Sequence, residues 1–364
     1  MNKFKANDVI VMMENGEVML TPVDCGMNNL KGLVRLLSSN REDKFQKFLY
    51  TSEVEKGESI TGETTYINGE KWNFGGFNGD SSKKVGEYEN VFTKDTEYHR
   101  ALIRRYLYEL FLQTGKKKFE VIVGASVDNF NVNKGDSVVR NLLEIKDKEV
   151  DISGRSIKFR IQEGLYKEVE LEIVCIHAQP ETASSLLSGI IITTPDKDLY
   201  LCDLGGLNNT VFVIRGGKID FTTNGVEVDV KGMLHINKYI TAYYNRNSLS
   251  KKITLNRVEQ LLTLGKKLDK EDEQFFQEAV NEYMDQEFMP KLKARGFNSA
   301  YDRIEFIGGG TVSLARFIKK YCKDRNIEYA INVEEAMFAT CKGMLKKVER
   351  TKRLDMTKIN GVSV

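Results

Sequence analysis

Two short stretches of this 364-residue chain place an aspartate, a glycine and a pair of asparagines after an apolar run. The fuller one is Tyr200-Leu201-Cys202-Asp203-Leu204-Gly205-Gly206-Leu207-Asn208-Asn209-Thr210. It reads as strand, tight turn and returning strand. Residues 200–202 are apolar, Gly205 and Gly206 tolerate positive φ and close backbone approach, and residues 210–214 are rich in β-branched side chains. Such a turn sets the Asp203 carboxylate beside bare backbone N–H groups, which suits a phosphate and its Mg²⁺. An ordinary β-hairpin would carry the same residues. The second stretch, Asp24-Cys25-Gly26-Met27-Asn28-Asn29-Leu30-Lys31, repeats Asp-x-Gly followed by Asn-Asn near the front of the first half. A long internal repeat predicts two similarly built halves, with two phosphate-binding turns closing on one nucleotide.

Two further groups could do chemistry. Gln179-Pro180-Glu181 ends a strand and opens a helix, where a water-positioning group can sit; Glu181 could equally serve only the helix dipole. Gly308-Gly309-Gly310-Thr311 lies between a predicted strand (304–307) and a predicted helix (312–321), so a flat or anionic ligand could rest against main chain and helix N-terminus. It has neither the GxGxxG of a dinucleotide fold nor the GK[ST] of a P-loop. The five cysteines are scattered without a Cys-x-x-Cys pair and are read as having no histidine partner, which disfavours zinc; free buried thiols are expected. The three histidines are expected to be structural.

Several elements must position these residues. Asn15-Gly16 predicts a hairpin between 9–13 and 18–21, the second strand running on to Asp24. Residues 41–89, rich in Gly, Ser, Thr and charge, predict an irregular exposed subdomain with a small hairpin around Asn68-Gly69. Residues 96–114 carry apolar side chains at helical spacing. A strand at 119–123, a polar crossing at 129–141 and strands at 145–161 and 169–176 complete an α/β first half. In the second half, 219–230 reads as strand. Helices are predicted at 233–244 after Gly232, from 254 with Asn256 as cap, at 270–294, and at 334–347 with Gly343 inside. A glycine there costs about 1 kcal/mol against alanine, so a close contact is its natural reason. The basic end from Lys346 through Lys347, Arg350, Lys352 and Arg353 reads as a solvated tail.

Length predicts about two domains. A formal charge of +2, from 54 Lys and Arg against 52 Asp and Glu, gives no global field for nucleic acid. No apolar run approaches the ~18 residues of a membrane span, and the polar start is no signal peptide. The expectation is a soluble cytoplasmic protein with no direct nucleic-acid or membrane contact.

Taken in order, Asp24-x-Gly26 with Lys31, Gln179-Pro180-Glu181, Asp203-Leu204-Gly205-Gly206 and Gly308-Gly309-Gly310-Thr311 resemble the actin/Hsp70/sugar-kinase superfamily. In spacing and length the chain is most similar, over residues 17–348, to the ParM group of plasmid-partitioning actin-like ATPases. The resemblance implies an α/β, actin-like fold: two domains, each with a ribonuclease-H-like core, and a nucleotide cleft between them. Domain I would be 1–178 plus 336–364, domain II 179–335. ATP or GTP with Mg²⁺ is the implied cofactor. Gly26, Met27, Asn28 and Asn29 would form the first phosphate loop with Lys31 reaching phosphate oxygens; Gly205, Gly206, Leu207 and Asn208 would form the second. Asp24 and Asp203 would hold hydrated Mg²⁺. Glu181, with Gln179 as alternative, would orient the attacking water. Gly308, Gly309, Gly310 and Thr311 would face the nucleoside, with Gly232 near its wall, and the Gly343 helix would connect the domains.

There are departures from that pattern. Met27 stands where a small hydroxyl residue is usual, so backbone or Asn28 would replace its phosphate contact. Asn208-Asn209 replace Thr/Gly residues, Thr210 stands where related plasmid proteins tend to have Asp, and the extension before Glu17 is atypical. The implied function is a filament assembled head to tail, its ATP or GTP hydrolysis driving plasmid segregation through an adaptor that binds centromere DNA. The alternatives are a small-molecule kinase of the same superfold and a cytoskeletal or division scaffold.

Overall fold

The apolar run that leads to Asp24 is strand β1 (Val18–Cys25), and the chain returns beside it as antiparallel β2 (Asn29–Leu36), with Asp24 opposite Lys31. The computed structural model describes residues 17–26, 29–36, 44–57, 64–75, 94, 96–126, 130, 133–191, 193, 196–220, 226–229, 231–248, 251–262 and 267–359, with backbone alone for 226–229 and 353–359. The predicted strand at 9–13, the extension before Glu17, Met27 and Asn28 lie outside the described residues.

The first sheet continues through β3 (Lys44–Thr51), β4 (Val54–Lys56), β5 (Thr65–Ile67) and β6 (Glu70–Phe74). Asn68 and Gly69, at φ 51° and 82°, join β5 to β6, the left-handed pair that a two-residue hairpin needs. The expectation of an irregular exposed subdomain at 41–89 is corrected for its described part. Phe48, Val54, Ile67, Trp72 and Phe74 are buried, because strands too short to stand alone pair edge to edge and lay one face on a helix. That helix is α1 (Glu97–Thr114), where Tyr98 meets Trp72 and Tyr106 meets Phe48 edge to face. Thr96 caps it by accepting the His99 N–H, and Gly115 closes it at φ 72°.

Then follow β7 (Lys118–Ala125), α2 (Asp136–Leu143), β8 (Ile157–Glu163), β9 (Val169–Pro180) and α3 (Glu181–Ser184). The expected polar crossing is in part helix α2, which buries Val138, Val139, Leu142 and Leu143. The strand expected from 145 begins only at Ile157; residues 145–156 are turns and irregular chain.

The second sheet is β10 (Leu199–Leu204), β11 (Asn209–Arg215), β12 (Lys218–Ile219) and β13 (Val226–Asp229), then β14 (Arg303–Ile307) and β15 (Glu328–Ala330). Its helices are α4 (Met233–Asn247), α5 (Leu255–Leu262), α6 (Lys270–Tyr283), α7 (Met289–Ala294) and α8 (Gly309–Asp324); α9 (Ala339–Ile359) is the last described element. Thr254, not Asn256, caps α5, since its hydroxyl accepts the Arg257 N–H. A wider π turn, Met284–Phe288, links α6 to α7 just before Pro290, which has no N–H to continue the ladder.

Strand order makes the repeat a property of the fold. The first sheet runs β3-β2-β1-β7-β9 and then β8-β5-β6-β4; the second runs β12-β11-β10-β14-β15, with β13 also on β11. In each, an antiparallel hairpin (β1–β2, β10–β11) is flanked by a strand parallel to its first arm (β7, β14), followed by another parallel strand (β9, β15). Each sheet has its own apolar core, and the chain divides into two compact units, Met1–Ser188 with Thr340–Val364, and Gly189–Ala339. Gln179 and Glu181, read in the sequence as opening the second domain, fall in the first unit because β9 and α3 pack there.

The basic end is only in part a solvated tail: Arg350 is exposed, but two of its lysines are engaged. Lys346 Nζ donates to the Ser188 carbonyl at 3.0 Å, and Lys352 pairs with Glu120. Gly343 has the close contact its cost called for: a Cβ there would lie 1.8 Å from the Ser184 carbonyl oxygen. Gly343→Ala would gain about 1 kcal/mol of helix propensity and lose more to the forced displacement, typically about 1–3 kcal/mol and upward for an overpacked contact. A net loss of about 2 kcal/mol is expected, read by urea unfolding; an unchanged or raised stability would contradict this packing.

Candidate phosphate-binding loops

In the first unit the turn after β1 is closed by the Gly26 N–H donating to the Asn29 carbonyl at 3.0 Å, and Ser52 Oγ donates to the Gly26 carbonyl. Asp24 sits at the strand end with each carboxylate oxygen engaged by a lysine. Lys31 Nζ donates to Oδ2 at 2.8 Å and Lys94 Nζ to Oδ1 at 3.0 Å. Lys94 also pairs with Glu181 Oε1. Gly124 makes room for that carboxylate, since a Cβ on it would fall 2.5 Å from Glu181 Oε1.

The triad is poorly hydrated: the Lys94, Asp24 and Glu181 side chains are 13%, 10% and 21% exposed. Burial pushes the Asp24 carboxyl up, but Lys31 and Lys94 outweigh it and hold the group well below the usual carboxylate range. Burial likewise opposes the Lys94 charge, and Glu181 and Asp24 together overcome it and raise its pKa. Glu181 moves the other way from Asp24. Burial, joined by repulsion from Asp24, exceeds what Lys94 gives back, so its pKa is raised. Two carboxylates with separated proton affinities are thus held on one ammonium, the arrangement in which one remains a fixed anion while the other can exchange a proton.

The second unit repeats the turn. The Gly205 N–H donates to the Asn208 carbonyl at 2.9 Å, and Asp203 lies opposite Thr210 as Asp24 lies opposite Lys31. Matched by these bonds, Asn29 corresponds to Asn208, so the two Asn-Asn pairs are offset by one residue. The need for Gly205 is close approach rather than positive φ: a Cβ would lie 2.6 Å from the Asn208 carbonyl oxygen.

This loop sits on a helix end. The N–H groups of Gly232, Met233 and Leu234, at the start of α4, donate to the carbonyls of Leu207, Gly205 and Gly206 at 2.6, 2.9 and 2.9 Å. A Cβ on Gly232 would fall 2.4 Å from the Leu207 carbonyl carbon. Gly232 therefore seats the second loop. With the loop carbonyls turned to α4, the N–H groups of Gly206, Leu207 and Asn208 donate to no backbone carbonyl among the described residues. Successive bare N–H groups of this kind form a concavity for an anion.

The glycine triplet serves the same loop. Gly308, at φ 89°, passes so near Asp203 that a Cβ would be 2.2 Å from Oδ1, and a Cβ on Gly310 would be 2.7 Å from the Leu204 carbonyl oxygen. A Cβ on Gly309 would meet nothing within 4 Å, so this residue borders open space. The sequence predicts the helix from 312, whereas α8 begins at Gly309; Gly309, Gly310 and Thr311 form its first turn. Thr311 is fully buried and donates its hydroxyl to the Ile307 carbonyl, so its side chain is not presented to a ligand. Asn209 is buried as well, donating to the Lys231 carbonyl and to Tyr283.

Two predicted site residues carry buried oxygens with no hydrogen-bond partner among the described residues: Gln179 Oε1 and Asn208 Oδ1. Lys94 was missed by sequence reasoning. It follows a glycine- and charge-rich stretch with no periodicity, and nothing in Thr93-Lys94-Asp95 sets it apart from the other lysines.

No protein-family model matches the chain, and no curated protein sequence does. Solved structures do. The chain superposes on Ta0583, an archaeal actin homolog in complex with ADP, with a TM-score of 0.64 at 12% identity, over 91% of this chain and 99% of that one. Its fold is therefore actin-like. ParM of Bacillus thuringiensis with ATP matches with a TM-score of 0.60 at 12% identity, over 92% and 100%. The Alp12 filament structure matches with a TM-score of 0.57 at 17% identity, over 93% and 99%. The expected α/β, ParM-like actin fold is borne out; at these identities the likeness is one of fold.

Burial beside the Lys94 charge gives a pH signature. His99 is 2% exposed, and burial with the Lys94 ammonium pushes its imidazole down to about 3. Between the unfolded value of about 6.5 and that value, only the unfolded chain binds the proton, so stability falls as pH falls, by about 1.4 kcal/mol per unit. From pH 7 to pH 5 the wild type should lose about 2 kcal/mol more than His99→Asn, which keeps a polar atom for Thr96. Urea unfolding at the two pH values measures this; equal losses would rule it out.

Proposed function

We propose that this chain is a nucleotide-dependent, filament-forming actin-like protein that binds and hydrolyses ATP or GTP with Mg²⁺. The observation that carries the reading is the repeated loop. In both units a strand-end aspartate is followed by a glycine whose N–H closes a turn on an asparagine carbonyl three residues on. Support also comes from the matched folds, one in complex with ADP, one with ATP and one a filament structure.

The residues fit the roles. Asp24, kept ionised, and Asp203, beside the start of α8, are the carboxylates that would hold a hydrated Mg²⁺, which would supply charge neutralisation at the phosphates. Gly26 and Asn29 in the first loop, with Met27 and Asn28 between them, and Gly205 to Asn208 in the second cradle phosphates through main-chain N–H groups. Lys31 and Lys94 are the ammonium groups for phosphate oxygens. Glu181, with its raised proton affinity, orients and deprotonates the attacking water. Gln179, whose Oε1 has no partner among the described residues, is the second acceptor for that water. Gly308 to Gly310 present main chain to the nucleoside.

Assembly is head to tail, since a heterologous contact that does not close gives a filament. The proposed cellular task is plasmid segregation through a DNA-binding adaptor. A formal charge of +2 suits indirect DNA contact, because direct binding draws on a basic stripe. Among the described residues no helix is long and apolar enough to cross a membrane.

Light scattering and phosphate release, with ATP or GTP and Mg²⁺, test the proposal. Polymer should form only with nucleotide. Asp203→Ala should abolish it, whereas Glu181→Gln should assemble but release phosphate about 100-fold more slowly. Absence of nucleotide-dependent polymer at every salt concentration would sink the filament reading, and sugar-stimulated nucleotide consumption would replace it with the kinase. Normal phosphate release by Glu181→Gln would move the water-orienting role to Gln179.

A further inference from the structure

Elsewhere in the first sheet, a carboxylate, a thiol and an imidazole converge on adjacent strands. β7 and β9 run parallel, and their pairing shifts between Phe119 and Glu120: Phe119 lies opposite Ile173, but Glu120 lies opposite Cys175. The extra residue on β9 is a bulge, and it decides which side chains meet. In even pairing Glu120 would face Val174, and Cys175 and His177 would project from the other side of the sheet. With the bulge, Cys175 and His177, two residues apart and so on one face, share the face of Glu120.

The three donor atoms lie within 4.8 Å of one another. His177 Nε2 contacts Glu120 Oε1 directly and stands 3.6 Å from Cys175 Sγ. This finding corrects the expectation that the cysteines have no histidine partner. Of the five cysteines, Cys175 alone is half-buried, the others being buried. Glu120 is 4% exposed and also pairs with the Lys352 ammonium of α9, which balances its charge.

We propose that Glu120, Cys175 and His177 form a three-ligand site for a borderline-soft divalent metal ion, Zn²⁺, with water as fourth ligand. One thiolate, one imidazole and one carboxylate is a donor set that zinc takes and Mg²⁺ does not. The spacing agrees. Bonds of about 2.3 Å to sulfur and about 2.0–2.1 Å to nitrogen at a tetrahedral angle span roughly 3.5 Å, against the 3.6 Å between Sγ and Nε2. On binding, the ion replaces the proton between His177 and Glu120, the Cys175 thiol releases its own proton to solvent, and no electron is transferred. The Glu120 carboxyl turns from direct contact with the imidazole to the metal.

The test uses the full chain, stripped with a chelator and titrated with Co²⁺. A thiolate-to-cobalt charge-transfer band should saturate at one equivalent and disappear on adding Zn²⁺ but not on adding excess Mg²⁺. Cys175→Ser should remove the band, and His177→Ala should weaken Zn²⁺ binding by more than the roughly 10–100-fold that loss of an outer-shell partner costs. Asp203→Ala should bind as the wild type does. Zn²⁺ should also raise the thermal midpoint of the wild type and leave that of Cys175→Ser unmoved. No charge-transfer band in the wild type, or a band retained in Cys175→Ser, would overturn the proposal.

Discussion

The constraint that shapes the second unit is the pinning of one turn's carbonyls by the N-terminus of α4. Gly205, Gly206 and Leu207 give their oxygens to that helix end, which satisfies donors the helix cannot use internally and turns the loop's own N–H groups away. Three main-chain segments must then approach within distances that a Cβ would forbid, so glycine is required at 205, 232, 308 and 310. These glycines, spread over some hundred residues of sequence, are one packing requirement rather than several motifs. The Asp203 carboxylate lies against Gly308 at the start of α8, where a helix end favours an anion.

In the first unit, charge does the work that a helix end does in the second. Asp24 and Glu181 are buried enough that each would be costly alone, and Lys94 is the cation that makes the pair tolerable. The same ammonium sets their difference. Asp24 has a second lysine, Lys31, in direct contact and stays ionised; for Glu181, burial and repulsion from Asp24 exceed what the lysines give back, and its proton affinity rises. Removing Lys94 would therefore disturb both carboxylates together.

Much of the fold was legible because it rests on local chemistry. Asn68-Gly69 could hardly be anything but a hairpin turn, the spacing from Ala101 to Leu110 fits a buried helix, and two aspartates followed by glycine mark two strand ends. The misreadings share a cause. Residues 44–74 read as polar and broken in isolation, yet their described strands pair edge to edge and bury Phe48 and Trp72 on α1, a partner more than twenty residues away. The basic run near the end reads as solvated until Lys346 and Lys352 meet a carbonyl and a carboxylate from distant segments. Cys175 and His177 are two residues apart, a spacing that matches no Cys-x-x-Cys motif, and they meet Glu120 only through a bulge.

The sequence by itself determined the repeated Asp-x-Gly turn, the strands and helices around it and the need for small residues beside it, because turn chemistry and hydrophobic period act over a few residues. Only the tertiary structure decided which groups share a site. It brought Lys94 between Asp24 and Glu181, set Gly232 beneath the Leu207 carbonyl, buried Thr311 and joined Glu120 to Cys175 and His177. Those pairings follow from strand order and register, which sum many weak long-range contacts and leave no mark on any short stretch of sequence.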